Sequence, residues 1–267
     1  KFPDGVYDIS GDLNINNADM ADKTIFAENN LEATIQASDA TINCHYFYNI
    51  KGLVLKKVGL KVFGGDEKNH IRFIQNNKFE KPYQDGGISI DIPKNQQVEN
   101  LVIKNNSFIG GKHCIRFGGY YGGTGMIKNA YIDNNYSEGV LRHYIFTEGV
   151  VNVIIRNNEL QGEDSLVALH PFTHKDQVGI VIVPYMNNTP VKGNIIENNT
   201  LHDIYEEGIS FDPRGNWEES YLRWTGSITD WNSSNGHISR MYLSSIPTSS
   251  EWNNGNGYKD YHLVIFE

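Results

Sequence analysis

Cysteine is nearly absent from this chain. Its 267 residues hold two, Cys44 and Cys114, too few for the disulfide framework of a small loop-rich domain. Cys114 lies inside an apolar run and reads as a small buried core residue, and the pair leaves the redox compartment open. A basic surplus is missing too. Lys and Arg total 23 against 32 Asp and Glu, a formal charge of −9 with a pI near 5.5, so nothing points to a nucleic-acid partner. No apolar run approaches the roughly 18–20 residues of a membrane span. Lys1 and Phe2 open the chain without the charged-then-apolar pattern of a signal peptide.

What the chain does have is a repeat. IRFIQNNKF carries Asn76 and Asn77, LVIKNNSF carries Asn105 and Asn106, and AYIDNNYS carries Asn134 and Asn135. VIIRNNEL carries Asn157 and Asn158, and IIENNTL carries Asn198 and Asn199. The pairs are 29, 29, 23 and 41 residues apart. Each follows a short β-branched run and precedes a polar loop. A second apolar run comes next: GISIDI (87–92), HCIRFGG (113–119), HYIFTEG (143–149), SLVALH (165–170) and GISFDP (208–213). One repeat thus holds at least two short strands and too few residues for a helix between them. Such strands bury one face only by stacking on the next copy, which predicts an all-β parallel solenoid. Asn suits this corner because it tolerates the left-handed backbone of a sharp bend. Its amide also bonds to the same amide one coil above and below. The 26 glycines suit many tight turns.

The N-terminal FPDGVYDISGDLNI, residues 2–15, resembles the FPxGxY-type opening of the pectate-lyase-like right-handed parallel β-helix superfamily. With the Asn repeats the resemblance covers about residues 2–216. It implies a right-handed parallel β-helix over 1–216, with 217–267 as a C-terminal cap or irregular final coils. All four tryptophans fall in that last segment, with the Ser/Asn/Gly-rich WNSSNGH and EWNNGNG. Members of the superfamily carry more chain before this opening, including a capping helix, so the sequence is expected to be part of a longer protein or to obtain its cap otherwise. The superfamily includes polysaccharide lyases, glycoside hydrolases, sugar epimerases and phage tailspike depolymerases. It therefore speaks for the fold and leaves the reaction to the site.

Residues 31–63 read as early coils with few catalytic candidates. Further on, equivalent residues of successive coils stack about 4.8 Å apart. Aligned by apolar alternation, the second strands place Ser89, Arg116, Ile145, Ala168 and Ser210 in one outward column. Asp91, Gly118, Thr147, His170 and Asp212 form the next, with Glu148 one step beyond Thr147. A slip of one residue turns these groups inward. The face so built carries the candidate catalytic residues Arg116, His143, Glu148, His170, Asp212 and Arg214. Asp and His just past apolar strands are not required for folding, although a solvated, salt-bridged face is the plainer account of any one of them. Asp91, Tyr144 and Trp217 are candidate substrate contacts. So are Tyr120 and Tyr121 on the glycine loop FGGYYGGTG, because flat aromatic faces suit the apolar faces of sugar rings.

Two mechanisms fit. In a hydrolase, Glu148 and Asp212 form the carboxylate pair, about two coils or very roughly 9–10 Å apart, near the upper end for an inverting glycosidase. In a lyase acting on a uronic-acid polymer, Arg116, Arg214 and His170 neutralise the carboxylate and abstract the proton, and His143 or Tyr144 donates one. Bound Ca²⁺ has a place in that second mechanism, but no metal-ligand spacing of high specificity is present. The adjacent acids Glu163 and Asp164 read as a turn. SFDPRGN is similar to the Asp-Pro-His-Glu segment of alginate C5-epimerases, yet Arg214 replaces the His and Gly215 the Glu. HPFTH (170–174) lacks the Glu of a helical zinc motif and contains Pro171. The expectation is a secreted or virion-borne, tailspike-like depolymerase of an extracellular or cell-surface polysaccharide, a homotrimer if it follows such relatives. The alternative is a non-catalytic glycan-binding or structural spike segment.

Overall fold

A computed structural model describes residues 1–16, 23–46, 49–63, 72–82, 86–93, 96–118, 125–162, 177–183, 193–202, 204, 207–211 and 226–229. Among the described residues every regular element is a strand, and every pairing between strands is parallel. The protein is all-β with parallel sheets. No helix of the described residues is long and apolar enough to cross a membrane.

The pairing follows the repeat. One unit comprises Gln97–Glu99, Leu101–Lys104, Ser107–Ile109 and Ile115–Phe117, four short strands where the sequence showed at least two. Each pairs with the corresponding strand of the next unit: Val98 with Ile127, Ile103 with Ile132, Phe108 with Ser137, Ile115 with Ile145. Two of the resulting ladders meet at Leu53–Phe63. Its first half pairs with Lys78–Glu80 and its second half with Ile88–Asp91, so one 15-stranded sheet has two arms. Seven strands from Thr24–Phe26 to Ile195–Glu197 form a second sheet, and three form a third.

The FPDGVY opening takes part in this pairing. Gly5–Asp8 lies parallel to Ala33–Gln36. The Phe2 and Tyr7 rings meet edge to face at 5.2 Å, and the Tyr7 hydroxyl donates to the Pro3 carbonyl at 2.8 Å.

Both halves of each Asn pair have a distinct job. The first Asn turns the corner: Asn76, Asn105, Asn134, Asn157 and Asn198 all have φ between 52° and 56°. The second is buried and links the units. Asn77 N–H donates to Asn106 Oδ1, Asn106 to Asn135, Asn135 to Asn158 and Asn158 to Asn199, each at 3.0 Å. Each Nδ2 also donates to an isoleucine carbonyl of the preceding unit, as Asn106 does to Ile74 at 2.9 Å and Asn199 to Ile155 at 2.9 Å. Buried amides thereby keep their partners, which is the condition for burying them at all.

Between the sheets the core is built from aligned apolar columns. Ile50, Ile74, Ile103, Ile132, Ile155 and Ile196 are consecutive partners and all buried. Phe79 and Phe108 stack at 4.9 Å between centroids. Cys114 is buried as expected, and desolvation pushes its thiol well up. Cys44 is buried too, its thiol pushed up to about 12.

The structure revises the alignment of the second strands at two places. Phe117 pairs with Thr147, so Phe146, not Ile145, stands beside Arg116. Thr147 joins the buried column of Ile90, Phe117 and Ile182. HYIFTE is apolar on both faces, and its alternation alone does not choose the register. The partner of His143–Glu148 is Val178–Val183, not the SLVALH run, so Val181 replaces Ala168 in the column. The 41-residue repeat contains both apolar runs, and spacing does not distinguish them.

Candidate functional site

The corrected register places a polar wall on one arm of the large sheet. Lys61, Ser89, Arg116, Phe146 and Val181 are consecutive partners. In the neighbouring column Phe63 pairs with Asp91. Gly118 and Glu148 each follow a paired residue, Phe117 and Thr147, and so continue that column. Alternation with the buried Ile88, Ile90, Ile115 and Phe117 sets the direction of these side chains.

Asp91 is held between two cations. Lys61 Nζ lies 3.3 Å from Oδ2, and Arg116 Nη2 lies 3.5 Å from Oδ1. The second contact is an ion pair too long for a good hydrogen bond, and Oδ1 has no hydrogen-bond donor. Arg116 Nε also donates to Ser89 Oγ at 3.3 Å. Lys61 sits 4.9 Å over the Phe63 ring, a favourable placement for a cation.

Glu148 is 3% exposed. Burial pushes its carboxyl up to about 7, assisted by the Asp91 charge and opposed by Arg116. Desolvation therefore outweighs the cation, and near neutrality the side chain is divided between acid and carboxylate. Gly118 gives it room: a Cβ there meets Glu148 Cβ at 2.7 Å and Oε2 at 3.0 Å, and the residue has φ +92°. Only glycine satisfies both the close approach and the backbone.

At the front of the strands His113 and His143 stand 5.2 Å apart, and His143 stacks on Phe146 at 5.2 Å. Burial, then Arg142 and Arg116, lowers His143 to about 3. His113 is lowered well below the usual range, by burial first and then by its neighbour His143. Both imidazoles are neutral at ordinary pH.

Of the residues expected from sequence, Asp91, Arg116 and Glu148 come together, and His143 lies on the same strand as Glu148. Tyr144 is fully buried, its hydroxyl donating to the Gln161 carbonyl at 2.6 Å. Tyr120, Tyr121, His170, Asp212, Arg214 and Trp217 lie outside the described residues. Ser89 and Gly118 were placed in the outward columns from the sequence without a role, and Lys61 and His113 were not singled out. Lys61 belongs to a coil without an Asn pair, so no marker aligned it with Asp91. His113 had a visible signal, since HCIRF and HYIFTE both open on histidine.

Among the described residues no group of three or more His, Cys, Asp or Glu is arranged to hold a metal ion. Comparison with family models, with curated proteins and with solved structures finds no match to this chain.

Proposed function

We propose that the chain is a right-handed parallel β-helix of the pectate-lyase-like kind, and that its Asp91–Arg116–Glu148 wall cleaves glycosidic bonds of an extracellular or cell-surface polysaccharide. Parallel pairing of each unit with the next, at the spacing of the Asn pairs, supports the solenoid. The observation that carries the reaction is Glu148, a carboxyl held near 7 on the same wall as a second acid, Asp91, two strands away. A glycosidase needs one acid that keeps its proton and another that does not.

In this reading Glu148 protonates the leaving glycosidic oxygen. Asp91, held between Lys61 and Arg116, activates the attacking water. Their backbone positions are two rungs apart, about 9–10 Å along the stack, and the Glu148 carboxyl leans over Gly118 on the rung between, its Oε2 3.0 Å from where a Cβ of Gly118 would stand. Arg116 and Lys61 suit an anionic sugar such as a uronate. The neutral His143, lowered to about 3, is a poor proton donor at neutral pH, which favours hydrolysis over the lyase mechanism. Asp212 is the alternative second carboxylate. The setting is a secreted or virion-borne, tailspike-like depolymerase, with a homotrimer as its assembly.

The 3% exposure of Glu148 favours a second reading, a non-catalytic glycan-binding or structural β-helix in which a neutral carboxyl is a core element. A panel of neutral and uronate polysaccharides separates the two, with reducing ends and ultraviolet absorbance of unsaturated ends both followed. Hydrolysis raises reducing ends alone; a lyase raises both. Glu148→Gln is expected to lower turnover at least 10³-fold, in the upper part of the range for a positioned general acid, with the fold intact by circular dichroism. Asp91→Asn and Asp212→Asn identify the second carboxylate. Unchanged turnover in Glu148→Gln removes Glu148 from the chemistry, and no product from any polymer leaves the binding reading.

A further inference from the structure

The Asn-Asn corner has an outer side as well as a buried one. Where Leu101–Lys104 turns into Ser107–Ile109, and in the next two units, a groove of about 350 Å³ runs across the rungs. Asn105, Asn134 and Asn157 form one bank, and Ser107, Tyr136 and Glu159 the other. Ser107, Tyr136 and Glu159 are consecutive strand partners, so the groove follows the stacking direction.

The fold does not account for the amides on this bank. The corner requires a left-handed backbone, and two units before Asn105 Gly52 meets that requirement at φ 72°. Asn105, Asn134 and Asn157 add carboxamides that the turn does not need. Asn134 Nδ2 donates to Asn105 Oδ1 at 2.9 Å and Asn157 Nδ2 to Asp133 Oδ1 at 2.9 Å. That leaves Asn105 Nδ2, Asn134 Oδ1 and Asn157 Oδ1 without a partner among the described residues, one donor group followed by two acceptors. On the facing bank the Tyr136 hydroxyl is fixed by Glu138 at 2.9 Å and by Gln161 at 3.4 Å. A ring already held in place loses little freedom on binding. The two banks carry one acid, Glu159, and no cation.

We propose that this corner is a glycan-binding groove, on strands separate from the Glu148 wall, for a neutral, extended polysaccharide lying along the stack. Amides repeating at about 4.8 Å match the advance of successive residues in an extended β-linked chain. Hydroxyls both donate and accept, so they can meet the free Asn105 amide N–H and the free Asn134 and Asn157 oxygens, and Tyr136 supplies an aromatic surface for a ring face. The absence of a cation selects against uronates, opposite to the wall of Lys61 and Arg116. The inference stands whether or not that wall cleaves.

The test uses the full chain carrying Glu148→Gln and affinity electrophoresis in gels containing soluble neutral mixed-linkage β-glucan or polygalacturonate. Retardation by the β-glucan is expected. Adding Asn105→Gly, Asn134→Gly and Asn157→Gly together, which keeps the left-handed turns, is expected to weaken it at least tenfold with circular dichroism unchanged. Should that variant unfold, Tyr136→Leu serves instead, with the same expected loss. No retardation by the β-glucan, or equal retardation of parent and variant, overturns the proposal. Retardation by polygalacturonate alone does so as well. The cleavage reading fails separately, on product release from the unmutated chain and from Glu148→Gln.

Discussion

Glu148 links folding to pH in a direction opposite to the two buried histidines. Its carboxyl rises from an ordinary 4.5 to about 7 in the folded chain. The folded state therefore keeps a proton that the unfolded state releases. This stabilisation is complete below about 4.5 and is lost as pH rises through about 7. His143 goes from 6.5 to about 3, so its contribution is present above about 6.5 and lost as pH falls through about 3, and His113 acts in the same sense. Glu148→Gln removes one of these slopes and leaves the others. Denaturant midpoints measured from pH 4 to 8 should show the variant gaining on the parent by up to about 3 kcal/mol across pH 4.5–7. A constant difference means that the carboxyl titrates normally. At Gly118 the close approach to Glu148 and the φ of +92° act together. Gly118→Ala is expected to cost about 1–3 kcal/mol, read as a shift in the urea midpoint.

At the scale of the element, the corner strands are too short to be stable alone. Three or four residues form few hydrogen bonds, and the Asn ladder supplies the contacts that fix their register. Asn106 shows how much rests on one side chain. Its Oδ1 accepts from Asn77 N–H at 3.0 Å and from Asn77 Nδ2 at 3.1 Å. Its Nδ2 donates to the Ile74 carbonyl and to Asn135 Oδ1. Asn106→Ala leaves a buried N–H and a buried carbonyl without partners, each costing about 1–3 kcal/mol. A loss of about 3–5 kcal/mol is expected, more than for an exposed corner Asn such as Asn134→Gly. Chemical denaturation of the two variants compares them directly.

On the scale of the whole molecule, the proposed solenoid makes stability a sum over neighbouring units. Ile132 is in the middle of the isoleucine column, against Ile103 and Ile155. Ile132→Ala is expected to cost about 2–5 kcal/mol. Under native conditions its effect on amide exchange should be greatest in Leu101–Lys104 and Ile154–Arg156 and least in Gly5–Asp8 and Ala33–Cys44. Equal loss of protection along the chain contradicts the one-dimensional account.

The Asn pairs and the short β-branched runs around them determined by themselves that the chain is all-β and that its strands recur at 29, 29, 23 and 41 residues. Local chemistry sufficed there. Only a residue tolerant of a left-handed turn fits the first position, and only an amide that serves its neighbours fits the buried second. Asp91, Arg116 and Glu148 were legible as polar groups at the ends of apolar strands. Their mutual placement was not. HYIFTE is apolar on both faces, and two apolar runs compete within the longest repeat, so alternation and spacing left the register of Glu148 and the identity of its neighbouring strand open. Tertiary packing chose between them, because only one register buries Thr147 with Phe117 and Ile182 and sets Glu148 against a glycine. That choice also closed Glu148 off from water, and its raised pKa follows from burial, which is a property of the assembled wall and of no segment within it.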